Sequence, residues 1–331
     1  MQPRHYLACG LFAATLVSTA SALAGADKEG DSRGPSICAK SAHVLKQACL
    51  TDTSVNYGES SAVCLNLTNG AARKDCYATA RQDKVATTQD CRETFEARQE
   101  LCEELGGAAY EPPFGGAFAP NFVDPLGIGA GVAPNVYYPL VPGSKRVYAG
   151  GDEVITVTVT HKTKLIDGVT CLVVNDVVEV NGAVVEDTDD WFAQDVTGNV
   201  WYCGESVRDF ETFEGDAPAQ AELVAIDGSW KAGRDGAKAG IVMPAEPSLG
   251  DFVRLELTWG EAEDAFEVID VTASASTPAA SCAHECVLTR DFTPLAPQAQ
   301  ENKYYAPGVG LIIEVNVVTG ERVELIEFTT P

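Results

Sequence analysis

From Val147 onward apolar and polar residues alternate with a period of two. Ile155, Val157 and Val159 are interleaved with Thr156, Thr158 and Thr160, the pattern of a half-buried strand. The same rhythm predicts strands over Val169–Val174, Val177–Val180, Ala183–Glu186, Asp190–Gln194, Val200–Cys203, Val253–Trp259, Phe266–Ala273, Glu285–Thr289, Gly310–Val317 and Glu321–Phe328. Asp167-Gly168, Asn181-Gly182, Gly198 and Thr319-Gly320 punctuate them, and Asn-Gly between two alternating runs is a strong hairpin signal. Successive hairpins without a βαβ rhythm predict, for residues 136–331, a mainly antiparallel curved β-sheet or partial β-barrel.

Upstream the pattern changes. Residues 36–106 are dominated in their second half by the helix formers Ala, Arg, Gln, Glu and Lys, with a thin apolar stripe at Ile37, Val44, Leu45, Phe95, Leu101 and Leu105. Ser36 after Pro35 reads as an N-cap and Gly106-Gly107 as a stop. Cys38, Cys49, Cys64, Cys76, Cys91 and Cys102 follow one another at gaps of 11, 15, 12, 15 and 11, mirror-symmetric about Gly70. A gap of 11 returns within about 20° of the same helix face, and a gap of 15 within about 60°. Nested pairs Cys38–Cys102, Cys49–Cys91 and Cys64–Cys76 therefore predict an antiparallel helical hairpin turning at Asn69-Gly70. Three disulfides of about 2–4 kcal/mol each would offset its small apolar surface. Thr51 to Gly58 is poor helix and is expected to kink or break the first arm. The expected class is α+β.

Residues 107–135 hold six Gly and five Pro together with Tyr110, Phe114, Phe118 and Phe122. That composition predicts an extended Gly/Pro-rich linker with aromatics suited to docking on a neighbouring surface. Residues 1–24 read as a signal peptide: basic Arg4, an apolar Leu7–Val17 and the A-x-A site Ala22-Leu23-Ala24, with no lipobox around Cys9. The expected address is periplasmic or extracellular, where disulfides persist. No later run is apolar enough for a transmembrane segment. The 48 acidic and 23 basic residues give a net charge of −25. Nucleic acid and anionic lipid are poor partners for such a chain.

Tyr138-Pro139-Leu140-Val141-Pro142-Gly143, Asp190-Trp191-Phe192-Ala193-Gln194-Asp195, Gly198-Asn199-Val200-Trp201-Tyr202 and Tyr305-Ala306-Pro307-Gly308-Val309-Gly310-Leu311 resemble motifs of an uncharacterised family of exported bacterial proteins. In that family a cysteine-stapled helical hairpin precedes an antiparallel β-domain, and the resemblance spans most of residues 36–328. It implies a fold and an exported address; its motifs are turns and strands, not catalytic groups. Cys203 and Cys282 depart from the family pattern, which suggests an added disulfide.

Four cysteines fall in the β-domain: Cys171, Cys203, Cys282 and Cys286. With residues 281–288 extended, Cys282 and Cys286 stand about 13 Å apart, too far to bridge. Two connectivities then remain, of which Cys171–Cys286 with Cys203–Cys282 is favoured. A soft-metal site at Cys282, His284 and Cys286 is disfavoured, since strand geometry keeps the three side chains apart, and no metal is expected.

Glu186, Asp187, Asp189, Asp190 and Asp195 form the densest acidic cluster, and Glu261, Glu263 and Asp264 another. A hairpin arm spreads such carboxylates over both faces, unlike a calcium loop. His161 stands without any G-x-S-x-G, H-E-x-x-H or phosphate-loop motif, so no catalytic residue and no cofactor are assigned. Trp191, Trp201, Tyr202, Trp230 and Trp259 lie in or near the sheet and could form an aromatic ligand-binding patch, against the alternative that they are core. The favoured function is non-catalytic binding of an apolar or sugar-like small molecule, or of an envelope protein, with the hairpin as rigid spacer. An extracellular hydrolase using acidic residues and a structural surface component are the alternatives. Buried carboxylates of raised pKa in a pocket would favour the hydrolase, a Trp-lined apolar cavity the binder.

Overall fold

The computed structural model describes residues 35–331; the signal-peptide reading of residues 1–24 lies outside them. The hairpin forms as its cysteine spacing predicts. Helix α1 spans Ile37–Leu65 and α2 Gly70–Glu104. Ser36 Oγ accepts from Ala39 N at 3.1 Å, and Asn69 Oδ1 caps α2 through Ala71 N and Ala72 N at 2.9 and 3.1 Å. Gly106 and Gly107 end α2 at positive φ. Disulfides Cys38–Cys102, Cys49–Cys91 and Cys64–Cys76 join the arms. The expected break at Thr51 to Gly58 does not occur. Thr51, Thr53 and Ser54 donate their hydroxyls to the carbonyls of Gln47, Cys49 and Leu50 one turn back, and the Cys49–Cys91 staple holds the neighbouring turn.

The rest is a single antiparallel sheet. Its strands are β1 (Lys145–Gly150), β2 (Glu153–Ile166), β3 (Val169–Val180), β4 (Ala183–Gln194), β5 (Val200–Ser206), β6 (Asp209–Glu211), β7 (Glu222–Ala225), β8 (Trp230–Lys231) and β9 (Lys238–Met243). They continue with β10 (Phe252–Arg254), β11 (Glu256–Leu257), β12 (Ala265–Ser276), β13 (Ser281–Phe292), β14 (Glu301–Ala306), β15 (Gly310–Asn316) and β16 (Arg322–Thr329). The strand order is β10-β12-β13-β14-β15-β16-β1-β2-β3-β4-β5-β9-β11. The two ends, β10 and β11, flank Leu255 in one stretch of chain, so the sheet curls nearly into a closed barrel. Gly240 permits that closure: a Cβ there would lie 2.3 Å from the Arg254 and Leu255 carbonyl oxygens.

Two pairs of predicted short strands fuse. Val169–Val174 and Val177–Val180 form β3, and Ala183–Glu186 and Asp190–Gln194 form β4, joined at Asn181-Gly182. The barrel interior packs Leu172, Val174, Phe192, Val200, Met243, Phe266, Val268 and Val287. On the outer face of β3–β5, Trp191, Trp201, Trp230 and a Cys171–Cys203 disulfide form a second cluster. The linker covers it. Phe114 and Phe122 each sit 6.0 Å from the Trp201 ring, and Tyr110 donates to Ala239 O at 3.0 Å.

The favoured β-domain disulfide pairing is overturned. Cys171 pairs with Cys203, and Cys282 with Cys286. β13 lies well round the barrel from β3, whereas β3 and β5 flank β4. The premise of an extended 281–288 also fails: His284 takes φ 60°, and the five residues Cys282 to Cys286 of β13 bulge opposite the three from Ala273 to Ala275. The two Cα atoms thereby come to 5.6 Å.

The hairpin is seated on the barrel by one buried ion pair. Arg98 donates through Nε and Nη2 to both oxygens of Glu263, at 2.7 and 2.6 Å, with Gly260 N completing the site at 2.7 Å. Glu263 is fully buried. No helix among the described residues is long and apolar enough to cross a membrane.

Candidate functional site

The barrel interior changes character along its axis, and strand register explains how. On the inward face of β3, Leu172 and Val174 lead to Asp176; on β4, Phe192 leads to Asp190 and Glu186. Across the barrel, Val287 pairs with Tyr305, Thr289 with Lys303 and Asp291 with Glu301. Both sheet regions run from apolar to acidic in the same sense, so one half of the interior is core and the other is a carboxylate chamber.

The chamber has a volume of about 350 Å3; nine of its lining residues are Asp or Glu, and Lys303 is its basic one. Lys303 Nζ lies 3.4 Å from Asp291, 3.3 Å from Glu301 and 3.5 Å from Glu314. Burial alone would lower its pKa, but these three carboxylates outweigh burial and hold it well above the ordinary range. One ammonium cannot neutralise three carboxylates: Asp291 and Glu314 stay raised, chiefly by burial.

Asp190, Asp264, Glu205 and Glu256 lie outside the ion pairs that Lys303 makes. Burial pushes Asp190 up to about 7, with Glu186 and Asp189 adding to it against a 2.5 Å hydrogen bond from Tyr202 Oη. Asp264 rises to about 6, again through burial, despite a hydrogen bond with Thr293 and the nearby Lys303. Glu205 and Glu256 are held well above the carboxylate range chiefly by burial, with Asp190 and Asp264 adding to both, Glu186 to Glu205, and Glu205 to Glu256. Trp230 turns its indole N–H toward Glu256 and lowers that pKa slightly. The contact falls short of hydrogen-bond geometry, and Glu256 Oε2 stays buried without a partner. The carboxylates line a wall rather than converge: no group of three or more His, Cys, Asp or Glu among the described residues could hold a metal ion.

The acidic cluster of β4 divides as strand alternation demands. Glu186 faces the chamber and Asp190 faces a second, neighbouring cavity, while Asp187 pairs with Arg208 at 2.8 Å and accepts from Asn175. Asp195 caps its own turn through Thr197 N, Asn199 N and Trp201 Nε1. Of the second cluster, Glu263 holds Arg98 and Asp264 reaches the chamber.

The aromatic patch does not form. Trp191, Trp201 and Trp230 are packed in the outer cluster, and Lys164 and Lys231 lie over the Trp191 ring at 4.4 and 4.9 Å. Tyr202 bridges the two clusters, stacked on Phe192 at 4.8 Å and edge-on to Trp230 at 5.4 Å. Trp259 stands apart and exposed on the Thr258–Ala262 turn. Trp191, Trp201 and Trp230 are core, because two adjacent long strands need large side chains on both faces. Lys303, Glu205, Glu256 and Asp291 escaped the sequence reading; the strand carrying Lys303, Glu301–Ala306, is mostly polar and had no alternation to betray it.

Comparison with known protein families, curated proteins and solved structures finds no match for this chain.

Proposed function

We propose that the barrel is a ligand-binding module whose chamber takes an organic polyamine. The observation that carries this reading is a 350 Å3 chamber with nine acidic lining residues and a single ammonium. Lys303 demonstrates the chemistry: an amine among three carboxylates is strongly favoured there. Asp190, Glu205, Glu256 and Asp264, raised chiefly by burial, keep protons to higher pH than exposed carboxylates do. An incoming polyamine would displace those protons and give Glu256 Oε2 a donor. A linear, flexible cation also suits carboxylates spread along a wall better than a point ion does. Five disulfides suit an oxidising compartment outside the cytoplasm, and export of the chain belongs to this proposal. The hairpin, seated through Arg98, would be the rigid arm that presents the barrel.

Calorimetric titration with spermidine, and with 1,4-butanediol as neutral control, tests it. Spermidine should bind at pH 8, at least tenfold more weakly at pH 5, and release protons on binding; the diol should not bind. Glu205→Gln with Glu256→Gln should weaken spermidine at least tenfold. Binding that ignores pH or this double substitution would refute the assignment.

A second reading has its own support. Asp190 near 7 and Asp264 near 6 are tuned as an acid–base pair of a hydrolase would be. Turnover of a glycoside or ester panel that disappears in both Asp190→Asn and Asp264→Asn would favour it over simple binding.

A further inference from the structure

A second cavity, of about 180 Å3, lies in the apolar half of the barrel. Ile155, Val157, Val174, Phe192, Leu311 and Val323 supply its walls. Apolar cavities of about 150 Å3 hold a benzene ring, so the space suits a single-ring molecule. Four charged side chains, Arg146, Asp176, Asp190 and Glu314, interrupt that apolar wall. Asp176, two residues beyond Val174 on the same face of β3, has its Oδ1 buried without a hydrogen-bond partner.

The neighbours leave that acceptor unanswered. Arg146, the basic side chain in the wall, spends Nε on Val309 O at 2.8 Å and Nη2 on Pro139 O at 3.0 Å, and lies over the Phe328 ring. Asp190 accepts from Tyr202, and Glu314 faces Lys303. Burial, reinforced by Asp190, Glu186, Glu153 and Glu314, holds the Asp176 carboxyl well above its ordinary pKa. That shift favours the protonated form, which suits a neutral donor rather than a cation. An unmade hydrogen bond in an apolar wall is costly, and a ligand donor recovers that cost.

We propose that this pocket binds a small single-ring alcohol or phenol, its ring among Val157, Val174 and Phe192 and its hydroxyl donating to Asp176 Oδ1. The site is separate from the carboxylate chamber, and its existence does not depend on the polyamine reading.

The test compares p-cresol with toluene, which match in shape and differ by one hydroxyl. Titration calorimetry on the full chain should give p-cresol at least tenfold tighter binding than toluene. Asp176→Leu should abolish that preference by retaining toluene and weakening p-cresol. Methyl NMR of the unsubstituted protein gives a readout that does not depend on the variant folding: p-cresol should shift Val157, Val174 and Leu311 and leave Leu295, in the chamber wall, unmoved. Equal affinity for the two probes, binding of neither, or shifts centred on Leu295 would overturn the proposal.

Discussion

The hairpin and the barrel solve the problem of stability in opposite ways. In the hairpin large apolar side chains face outward: Val44, Val55, Val63 and Val85 are each more than half exposed. What is buried there is chiefly cystine, with Phe95, Leu101 and Ala80. The barrel has a continuous core with Leu172, Phe266, Val268 and Ile312 fully buried. Only the region with that core carries buried acids lacking counter-ions. Uncompensated carboxylates are destabilising, so they persist where hydrophobic burial can offset them. A covalent ladder with little core could not host such a chamber.

The sharpest way to break this contrast is to remove the cross-links. Loop-closure entropy assigns about 4 kcal/mol to Cys38–Cys102, separated by 64 residues, and about 3 kcal/mol to Cys64–Cys76, separated by 12. Replacing all six hairpin cysteines by Ala should therefore melt α1 and α2 and leave the barrel folded. The expected result is loss of helical circular dichroism with proteolysis confined to residues 37–104, while Trp fluorescence, which comes from the barrel alone, stays native. A hairpin that kept its helicity after this change would show that packing, not cystine, holds it.

Next in size is the joint between the regions. Arg98→Ala strands the Glu263 carboxylate in a fully buried position and should cost about 3–5 kcal/mol by denaturant unfolding. The apolar pair Arg98→Met with Glu263→Met should regain most of that. A loss below about 1 kcal/mol for the single change would mean that the interface admits water.

How much of this was legible in the sequence follows the same division. The hairpin was readable because cysteine spacing is a direct record of geometry; only continuity through Thr51 to Gly58 was missed, where hydroxyl back-bonds and a staple override weak propensity. The strands were readable from alternation, and the Asn181-Gly182 turn from its residue types. The chamber was not. Alternation places Glu186 and Asp190 on one face of a strand without saying which face lies inside a closed barrel. Glu205, Asp264 and Lys303 meet only because β5, β12 and β14 are brought together by strand order, a long-range property. The burial of Trp191, Trp201 and Trp230 was undecided for the same reason: both faces of β4 and β5 are covered, one by the barrel core and the other by Phe114 and Phe122. The Cys282–Cys286 bridge hid behind a left-handed His284, a conformation that a β-pattern does not announce.

The finest discrimination between the regions is the pH dependence of stability, and its sign is opposite to common expectation. Asp264 and Asp190 titrate near 6 and 7 in the folded barrel and near 4 in an unfolded chain. Between those values the folded state binds more protons than the unfolded one, so stability falls as pH rises from about 4 to about 7, and Glu205, Glu256 and Asp176, raised further still, continue the fall. At about 1.4 kcal/mol per unit of difference between folded and unfolded values, the two acids together make the fall about 7 kcal/mol. Lys303 does not enter this window: its raised pKa stabilises the fold fully below the unfolded lysine value near 10.4. Asp195, lowered by its turn hydrogen bonds despite partial burial, works the other way and loses its contribution only in stronger acid. The barrel should thus be most stable near pH 4–5, its Trp-monitored unfolding midpoint dropping toward pH 8, while the hairpin's helical transition, fixed by disulfides, stays level. Spermidine at pH 8 should restore the lost stability by supplying cations where protons had been. A barrel that instead gained stability steadily from pH 5 to 8 would mean that its acids are ionised and solvated, and the chamber would lose both its protons and its reason to bind an amine.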